Sequence, residues 1–158
     1  MEEKIIRQSL GIDVSKRTLS LCLASVHMDL SKSFDPRDDV LNDQEGFTEL
    51  ERWLTSVRSE GVDLSIVMEA TGVYHEGIAM YLFERGYAVS IMQSGRVKKY
   101  AQSLDQRSKT DALDSKMLSM LGCERRLRKW EPPSPVLQDL KLLSRERSTL
   151  LKEKLILS

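Results

Sequence analysis

Cysteine is scarce in this 158-residue chain, which contains only Cys22 and Cys123. Two cysteines so far apart in sequence cannot build the disulfide framework of a small secreted domain, and they are too few for a cysteine-rich zinc site. We expect both to be buried or idle reduced thiols of a cytosolic protein. The two histidines, His27 and His75, also lack ligand-like spacing. For them we expect surface or packing roles rather than metal binding.

Long apolar runs are missing as well. No segment approaches the roughly 20 apolar residues that a membrane-spanning helix needs. The opening segment "MEEKIIRQSL" carries acidic side chains and lacks the apolar centre of a secretory signal. Hydrophobic residues make up 41% of the chain and charged residues 30%, a composition typical of a globular protein with a buried core. We therefore expect a cytoplasmic protein with no membrane partner.

The charges are unevenly distributed although the net charge is zero. Residues 1–90 hold 9 Lys+Arg against 16 Asp+Glu, whereas residues 91–158 hold 15 against 8. Such a split indicates that the second half faces a polyanion, although merely solvated helix faces remain an alternative. The most basic stretch, 94–129, has ten Lys+Arg and four Asp+Glu. Its candidate nucleic-acid contacts are Arg96, Lys98, Lys99, Tyr100, Arg107 and Lys109.

The beginning of the chain has the periodicity of strands. Residues 5–13 predict a strand whose apolar end meets a polar turn, and residues 18–26 alternate leucines with small or polar residues. The short turn between them predicts an antiparallel hairpin. Residues 27–35 predict a third, weaker strand, which a polar loop over 36–44 follows.

Helices and buried strands alternate in the next part of the chain. Apolar residues recur at three- and four-residue steps over 43–60, with Asp43 as a helix cap and Gly61 as a stop. Two short apolar runs, 64–70 and 87–92, predict buried strands on either side of a helix over 75–85. Strands joined through helices run parallel with right-handed crossovers. The sequence therefore predicts an α/β domain whose mixed sheet is antiparallel at its start and parallel afterwards.

The last part of the chain differs in kind. Residues 130–135, "WEPPSP", form a stiff break whose Ser134-Pro135 suits a helix start. The residues after it keep a four-three spacing, the pattern of a coiled coil, up to Leu157. We expect residues 1–129 to form one domain, and 130–158 to be the break and the start of a coiled-coil helix. This helix has no stop signal, so we expect either an arm that forms a homo-oligomer or a chain cut off in mid-helix.

Four carboxylates could meet at one site. Asp13 and Glu69 each lie at the carboxyl end of a predicted strand, where open α/β sheets form their sites. Asp111 and Asp114 are three residues apart, so they share one face of a helix. Burying unpaired carboxylates is costly, which favours protonation or a bound cation. A hard divalent cation such as Mg²⁺ or Mn²⁺ prefers oxygen ligands, and two such ions about 4 Å apart promote phosphoryl transfer.

Each of these residues also has a simpler interpretation. Asp111 and Asp114 could complement a helix dipole at the first turn. Asp13 could form a turn through its own side chain. Glu69 is harder to explain in that way, because an apolar strand seldom ends in a lone charge. Nearby Tyr74 could stack on a base or ribose, although packing is the default role of a tyrosine.

Four motifs carry a resemblance to a known family. They are "GIDVSK" at 11–16, "MEATGVYH" at 68–75, "RVKKYAQSL" at 96–104 and "KTDALDSKML" at 109–118. In this order they resemble the DEDD transposases of bacterial insertion sequences, which include the bridge-RNA-guided recombinases, and the related Piv DNA invertases.

The resemblance implies an RNase H-like, RuvC-like catalytic domain in a bacterial protein. It assigns a metal-binding tetrad to Asp13, Glu69, Asp111 and Asp114, with Mg²⁺ or Mn²⁺ as the cofactor. It further implies DNA cleavage and strand transfer during transposition, with DNA and a structured guide RNA as partners. A second catalytic domain of the family, with a serine nucleophile, lies beyond the coiled coil. We therefore expect this chain to be an N-terminal part.

Two other classes of function compete with this one. Phosphotransferases of the actin and sugar-kinase type begin with a similar strand, but they need a Gly/Thr-rich turn where this chain has "VSKRT" at 14–18. They also need a duplicated core, for which the chain is too short. A non-catalytic module that binds nucleic acid and dimerises, or a RuvC-like nuclease or resolvase, remains an alternative. Carboxylates at all four tetrad positions favour catalysis.

Overall fold

The computed structural model of the chain describes residues 4–70, 72–93, 99 and 111–132, and for 111–114 it describes the backbone alone. The elements in these ranges are, in chain order, β1 (Ile5–Val14), β2 (Thr18–His27), β3 (Lys32–Leu41), α1 (Gln44–Val57), β4 (Asp63–Glu69), α2 (Glu76–Glu84), β5 (Ala88–Met92) and α3 (Asp111–Glu124). Among these described helices, none is both long and apolar enough to cross a membrane.

The strands form one mixed sheet in the order β3-β2-β1-β4-β5. β2 pairs antiparallel with both β1 and β3. β4 lies parallel to β1 on one side and to β5 on the other. The predicted sheet, antiparallel at its start and parallel afterwards, is therefore confirmed. Its parallel part brings the carboxyl ends of β1, β4 and β5 to one edge.

The polar loop predicted at 36–44 is wrong, because β3 continues to Leu41. Pro36 lies within β3 opposite Cys22. β3 is an edge strand, which tolerates a proline because an N–H that faces solvent is not needed for pairing with the neighbouring strand. The register shifts beside Leu19, and Asp39 there has a φ of 60°. Asp tolerates this left-handed conformation better than most residues, so an irregular and polar edge strand can look like a loop in sequence.

The predicted first helix is real, but it is shorter than expected. The carboxylate of Asp43 accepts a hydrogen bond of 2.9 Å from the Gly46 N–H, which confirms the predicted cap. The helix ends at Val57 rather than at residue 60. Gly61 lies in the turn beyond it with a φ of 73°. A positive φ there marks the turn into β4, not the end of the helix.

Helices cover both faces of the sheet. On one face, α1 and α2 bury an apolar core against the sheet, to which Leu10, Ile12, Leu50, Leu54, Ile66, Met68, Ile78 and Leu82 contribute. On the other face, α3 packs Leu118 and Leu121 against Val67 of β4. Alternate residues of each strand point to opposite faces, so β1 and β4 are buried on both sides. This agrees with the apolar run 66–68 in the middle of β4.

The backbone of α3 lies directly on β1 at Gly11. A Cβ atom at this glycine would be 2.0 Å from the Ser115 carbonyl oxygen and 2.6 Å from the Ser119 nitrogen. Further along α3, towards its end, a Cβ atom at Gly122 would be 2.1 Å from Ser9 Oγ. Two glycines, one on each element, therefore permit a contact between helix and strand that a side chain at either position would prevent.

The two cysteines are free and buried, in agreement with the prediction of unpaired thiols. Burial is the main cause that raises the pKa of the Cys123 thiol to about 11, and it also raises the pKa of Cys22. A thiol reacts as its thiolate. Both side chains are therefore packing residues, Cys22 on β2 and Cys123 within α3.

The chain after α3 returns to the sheet. The Trp130 N–H donates a hydrogen bond of 2.6 Å to the Val89 carbonyl oxygen. Its ring packs edge-on against Phe83, with 5.9 Å between the ring centroids. Residue 130, the first of the predicted break, thus contacts the domain. The Ser134-Pro135 helix start and the coiled-coil helix predicted after it lie outside the described residues.

We predict that Gly11→Ala lowers the free energy of unfolding by about 3 kcal/mol or more, because the new methyl group would collide with the backbone of α3. Gly77→Ala is the matched control, since its Cβ atom would lie 3.5 Å from the Phe47 ring, which is an ordinary contact. In urea unfolding followed by circular dichroism, the control should be neutral or stabilising. Equal stability of Gly11→Ala and wild type would contradict the close contact.

Candidate functional site

Asp13 and Glu69 occupy neighbouring positions on adjacent parallel strands. The last register pair between β1 and β4 is Ile12 with Met68. Asp13 and Glu69 are the next residue on each strand, and both are partly buried. Adjacent strands lie about 4.8 Å apart. The two carboxylates that the sequence placed at strand ends are therefore brought together at one edge of the sheet.

Both carboxylates lie on the face of the sheet that α3 covers. Gly11, two residues before Asp13, faces the backbone of α3. Val67, two residues before Glu69, packs with Leu118 of the same helix. Residues two apart on a strand share a face. The carboxylates of Asp13 and Glu69 thus follow the residues that contact α3.

α3 runs antiparallel to β1. Gly122 lies over Ser9, and Ser115 lies over Gly11. As α3 is followed from Gly122 back to Ser115, the contacts on β1 advance from Ser9 to Gly11. The first turn of the helix, 111–114, therefore extends in the direction of Asp13. Helical spacing puts positions 111 and 114 on the same stripe as 115 and 118. The backbone of Asp111 and Asp114 begins α3, and their side chains lie outside the described residues, so the four-residue site stays a prediction.

The described half of the site suits a hard cation. Carboxylate oxygens are the ligands that Mg²⁺ and Mn²⁺ prefer. Among the side chains that the structure describes, no three His, Cys, Asp or Glu are placed to hold a metal ion together. Asp13 and Glu69 are thus a pair that needs further ligands. The chemistry of the donors fits the expected cofactor, and the pair alone provides two of the four expected residues.

The two histidines lie in different parts of the fold. His27 Nε2 and Ser33 Oγ form a hydrogen bond of 2.8 Å between β2 and β3. His75 occupies the position before the first residue of α2. Their expected surface or packing roles stay a prediction.

The predicted nucleic-acid contacts lie mostly outside the described residues. Lys99 is described and its side chain is exposed. The other five predicted contacts lie outside the described residues, namely Arg96, Lys98, Tyr100, Arg107 and Lys109. Whether these residues share a surface with Asp13 therefore stays a prediction.

Asn42 is a residue of this site that sequence reasoning missed. Its side-chain amide donates to the Ser15 carbonyl at 2.9 Å and to the Tyr74 carbonyl at 3.1 Å. Ser15 follows β1 just after Asp13, and Tyr74 belongs to the loop that follows Glu69. Asn42 therefore ties together the two loops that leave the carboxylates. An asparagine between a strand and a helix has no sequence pattern that would reveal this role.

The loop after β4, which follows Glu69, also presents exposed apolar surface. The side chains of Val73 and Tyr74 are 48% and 43% exposed. A packing role, the default for Tyr74, therefore accounts for only part of its ring. An exposed aromatic ring is a surface on which a base could stack.

Comparison with known proteins shows which family this sequence matches. The model of the DEDD transposase family, described as "Transposase", matches residues 10–156. Pilin gene-inverting proteins of Moraxella lacunata and Moraxella bovis are each 31% identical over 125 residues, which is 79% of this chain. The same alignment covers 37% of their length. The chain thus corresponds to well under half of these relatives.

A solved structure has a similar fold. RuvC of T. thermophilus in complex with a Holliday junction substrate matches with a TM-score of 0.50 and 13% identity. The match covers 78% of this chain and 99% of that one. At this identity the likeness concerns the fold alone, and it confirms the predicted RNase H-like, RuvC-like sheet with flanking helices.

We predict that Asn42→Ala lowers the free energy of unfolding by about 1 kcal/mol, because two hydrogen bonds to backbone carbonyls are lost. Hydrogen exchange of the amides at 72–76 should accelerate, since this loop loses its tie to the turn after β1. Asn42→Asp is the closest variant in shape, and it should loosen the loop as well because a carboxylate cannot donate to the two carbonyls. Unchanged exchange in both variants would show that Asn42 does not hold the loops.

Proposed function

Because this chain belongs to the DEDD transposase family, we propose that it is the metal-dependent catalytic part of a DNA transposase or recombinase. The observation that carries the proposal is the placement of Asp13 and Glu69 side by side at the carboxyl ends of two parallel strands. Sites of open α/β sheets form at this edge. The name of the Moraxella relatives refers to the inversion of a gene, and we extend DNA rearrangement to this chain as part of the proposal.

The proposed metal site consists of Asp13, Glu69, Asp111 and Asp114. Its support is the direction of α3, which extends its first turn towards Asp13, together with the three-residue spacing of the two helix aspartates. The glycine contact at Gly11 sets the height of this helix above the sheet. An assignment of the same four residues follows from the family motifs in the sequence.

Carboxylates from three elements would hold Mg²⁺ or Mn²⁺ in this proposal. When bound, such ions supply charge stabilisation to a phosphodiester that is being cleaved. Asp13 and Glu69 would orient their oxygens from the fixed edge of the sheet, while Asp111 and Asp114 would close the site from the helix. Because the strands and α3 are packed against each other, the ligands from the sheet are held by the core rather than by a loop.

DNA is the proposed substrate, and a structured guide RNA is the proposed second partner. Support comes from the positive balance of residues 91–158 and from the family resemblance. We propose Arg96, Lys98, Lys99, Tyr100, Arg107 and Lys109 as nucleic-acid contacts. Cations next to the carboxylates would neutralise backbone phosphates, and their contribution should weaken with salt. The helix expected after Pro135 is proposed to join copies of the chain into a homo-oligomer.

A non-catalytic nucleic-acid-binding module is the second candidate. The basic stretch 94–129, with ten Lys+Arg against four Asp+Glu, favours it independently of the carboxylates. Such a module would bind DNA equally well with or without a divalent cation, and it would cleave none. A RuvC-like nuclease or resolvase would also cleave DNA in a metal-dependent way. A titration of the chain with Mn²⁺ therefore separates both catalytic functions from the non-catalytic module.

We predict that Asp13→Asn weakens the binding of Mn²⁺ by roughly tenfold or more, because one ligand oxygen of the site loses its charge. Isothermal titration of the chain with Mn²⁺ measures the change. Asp38→Asn removes the same charge from the exposed part of the β3 edge strand, and its Mn²⁺ affinity should equal that of the wild type. Nicking of supercoiled plasmid DNA in Mg²⁺ should be lost with Asp13→Asn and kept with Asp38→Asn.

Equal Mn²⁺ affinity in wild type and Asp13→Asn would remove Asp13 from the metal site. Plasmid nicking that persists in Asp13→Asn would likewise contradict a catalytic role for the carboxylate pair. DNA binding by the wild type that is equal in Mg²⁺ and in EDTA, without measurable binding of Mn²⁺, would favour the non-catalytic module.

A further inference from the structure

A concave site lies at the end of the sheet opposite to Asp13 and Glu69. It has a volume of about 480 Å³, within the range of roughly 300 to 1,000 Å³ that is usual for ligand sites. Its walls are the first residues of β1, β4 and β5 and the chain that follows α3. The catalytic proposal uses none of these residues, because Asp13 and Glu69 occupy the carboxyl ends of the same strands.

The walls of this cavity are positively charged. Four cationic side chains line it, namely Arg7, Arg125, Arg126 and Lys129. Two acids, Asp63 and Glu124, also line it, which leaves a balance of four minus two, or +2. Glu124 is paired with Lys32 at 2.7 Å, and Lys32 is not among the lining residues. The cations that face the cavity therefore outweigh its acids.

The cations are carried by backbone that is fixed at several points. Arg7 Nη1 donates to the Cys123 carbonyl at 2.7 Å, which joins the start of β1 to the end of α3. The Arg125 N–H donates to the Leu121 carbonyl at 3.0 Å. The Trp130 N–H donates to Val89 on β5. The segment 125–130 is thus held at both ends, and it carries three of the four cations across the cavity.

The cavity and the carboxylates lie at a defined separation along the sheet. Arg7 and Asp63 are register partners at the cavity, and Asp13 and Glu69 follow each of them by six residues. Six residues of a strand span about 20 Å. This length corresponds to roughly six nucleotides along one strand of DNA at 3.4 Å per nucleotide. One bound nucleic acid is long enough to reach both places.

We propose that this cavity binds a backbone phosphate of the nucleic acid on which Asp13 and Glu69 act. The identity of the ligand rests on the proposed function, whereas the preference for an anion rests on the four cations alone. Arginine supplies the forked N–H donors that suit a phosphate group, and the cavity holds three of them. The site would set the position of the nucleic acid without reading its sequence.

The test is the salt dependence of DNA binding by Arg126→Ala. A fluorescently labelled DNA duplex is titrated with the chain over a series of KCl concentrations, in EDTA, so that the result does not depend on the carboxylate site. Loss of one phosphate contact should make the slope of log affinity against log salt shallower by about one. Arg52→Ala, an exposed arginine of α1 on the opposite face of the sheet, should keep the wild-type slope.

Two outcomes would overturn the inference. One is the same salt slope for Arg126→Ala and Arg52→Ala. The other concerns the NMR resonances of the Ser65 and Ser90 amides, which lie at the cavity. If inorganic phosphate shifts these resonances and the DNA duplex does not, the cavity binds a small anion instead. DNA that shifts these amides and competes with phosphate supports the proposal. Failure of the metal titration alone would overturn the catalytic proposal and leave this result intact.

Discussion

The contact between Gly11 of β1 and the backbone of α3 is the constraint on which the rest of this structure depends. A helix normally keeps its distance from a sheet through its side chains, but here the space for a Cβ atom is occupied by Ser115 and Ser119. This contact fixes how close α3 lies to the sheet, and together with the contact of Gly122 with Ser9 it gives the direction in which the helix runs. The candidate site follows from that geometry, because two carboxylates come from the sheet and the first turn of α3 extends towards them.

The main features of the sheet could be predicted from sequence, since β4 and β5 are short runs rich in apolar residues and β2 alternates leucines with small or polar residues. The carboxyl ends of β1 and β4 were also predictable, because the apolar residues of each strand give way to a polar or glycine-containing turn, and with them Asp13 and Glu69. β3 was predicted only in part, because an edge strand needs neither apolar residues nor a donor at Pro36. Asn42 could not be found at all, because its two hydrogen bonds join loops that are distant in sequence.

The two ends of the sheet carry opposite chemistry. Carboxylates gather at the ends of β1 and β4 next to a loop with an exposed Tyr74. Cations gather at the beginnings of the same strands, where the chain after α3 crosses towards β5. Two acids from the acidic first half of the sequence thus lie at one end of the sheet, and three cations from the basic second half lie at the other. Under the proposed function, the cations would hold a polyanion at one end of the sheet and the carboxylates would act on it at the other.

The central claim is that a single metal site joins the sheet edge to the first turn of α3. It is tested most directly by the anomalous scattering of Mn²⁺ in crystals of the chain. The account predicts an ion bound by oxygens of Asp13 and Glu69 and by at least one of Asp111 and Asp114. An ion bound elsewhere, or Asp111 and Asp114 directed away from an ion held by Asp13 and Glu69, would contradict it.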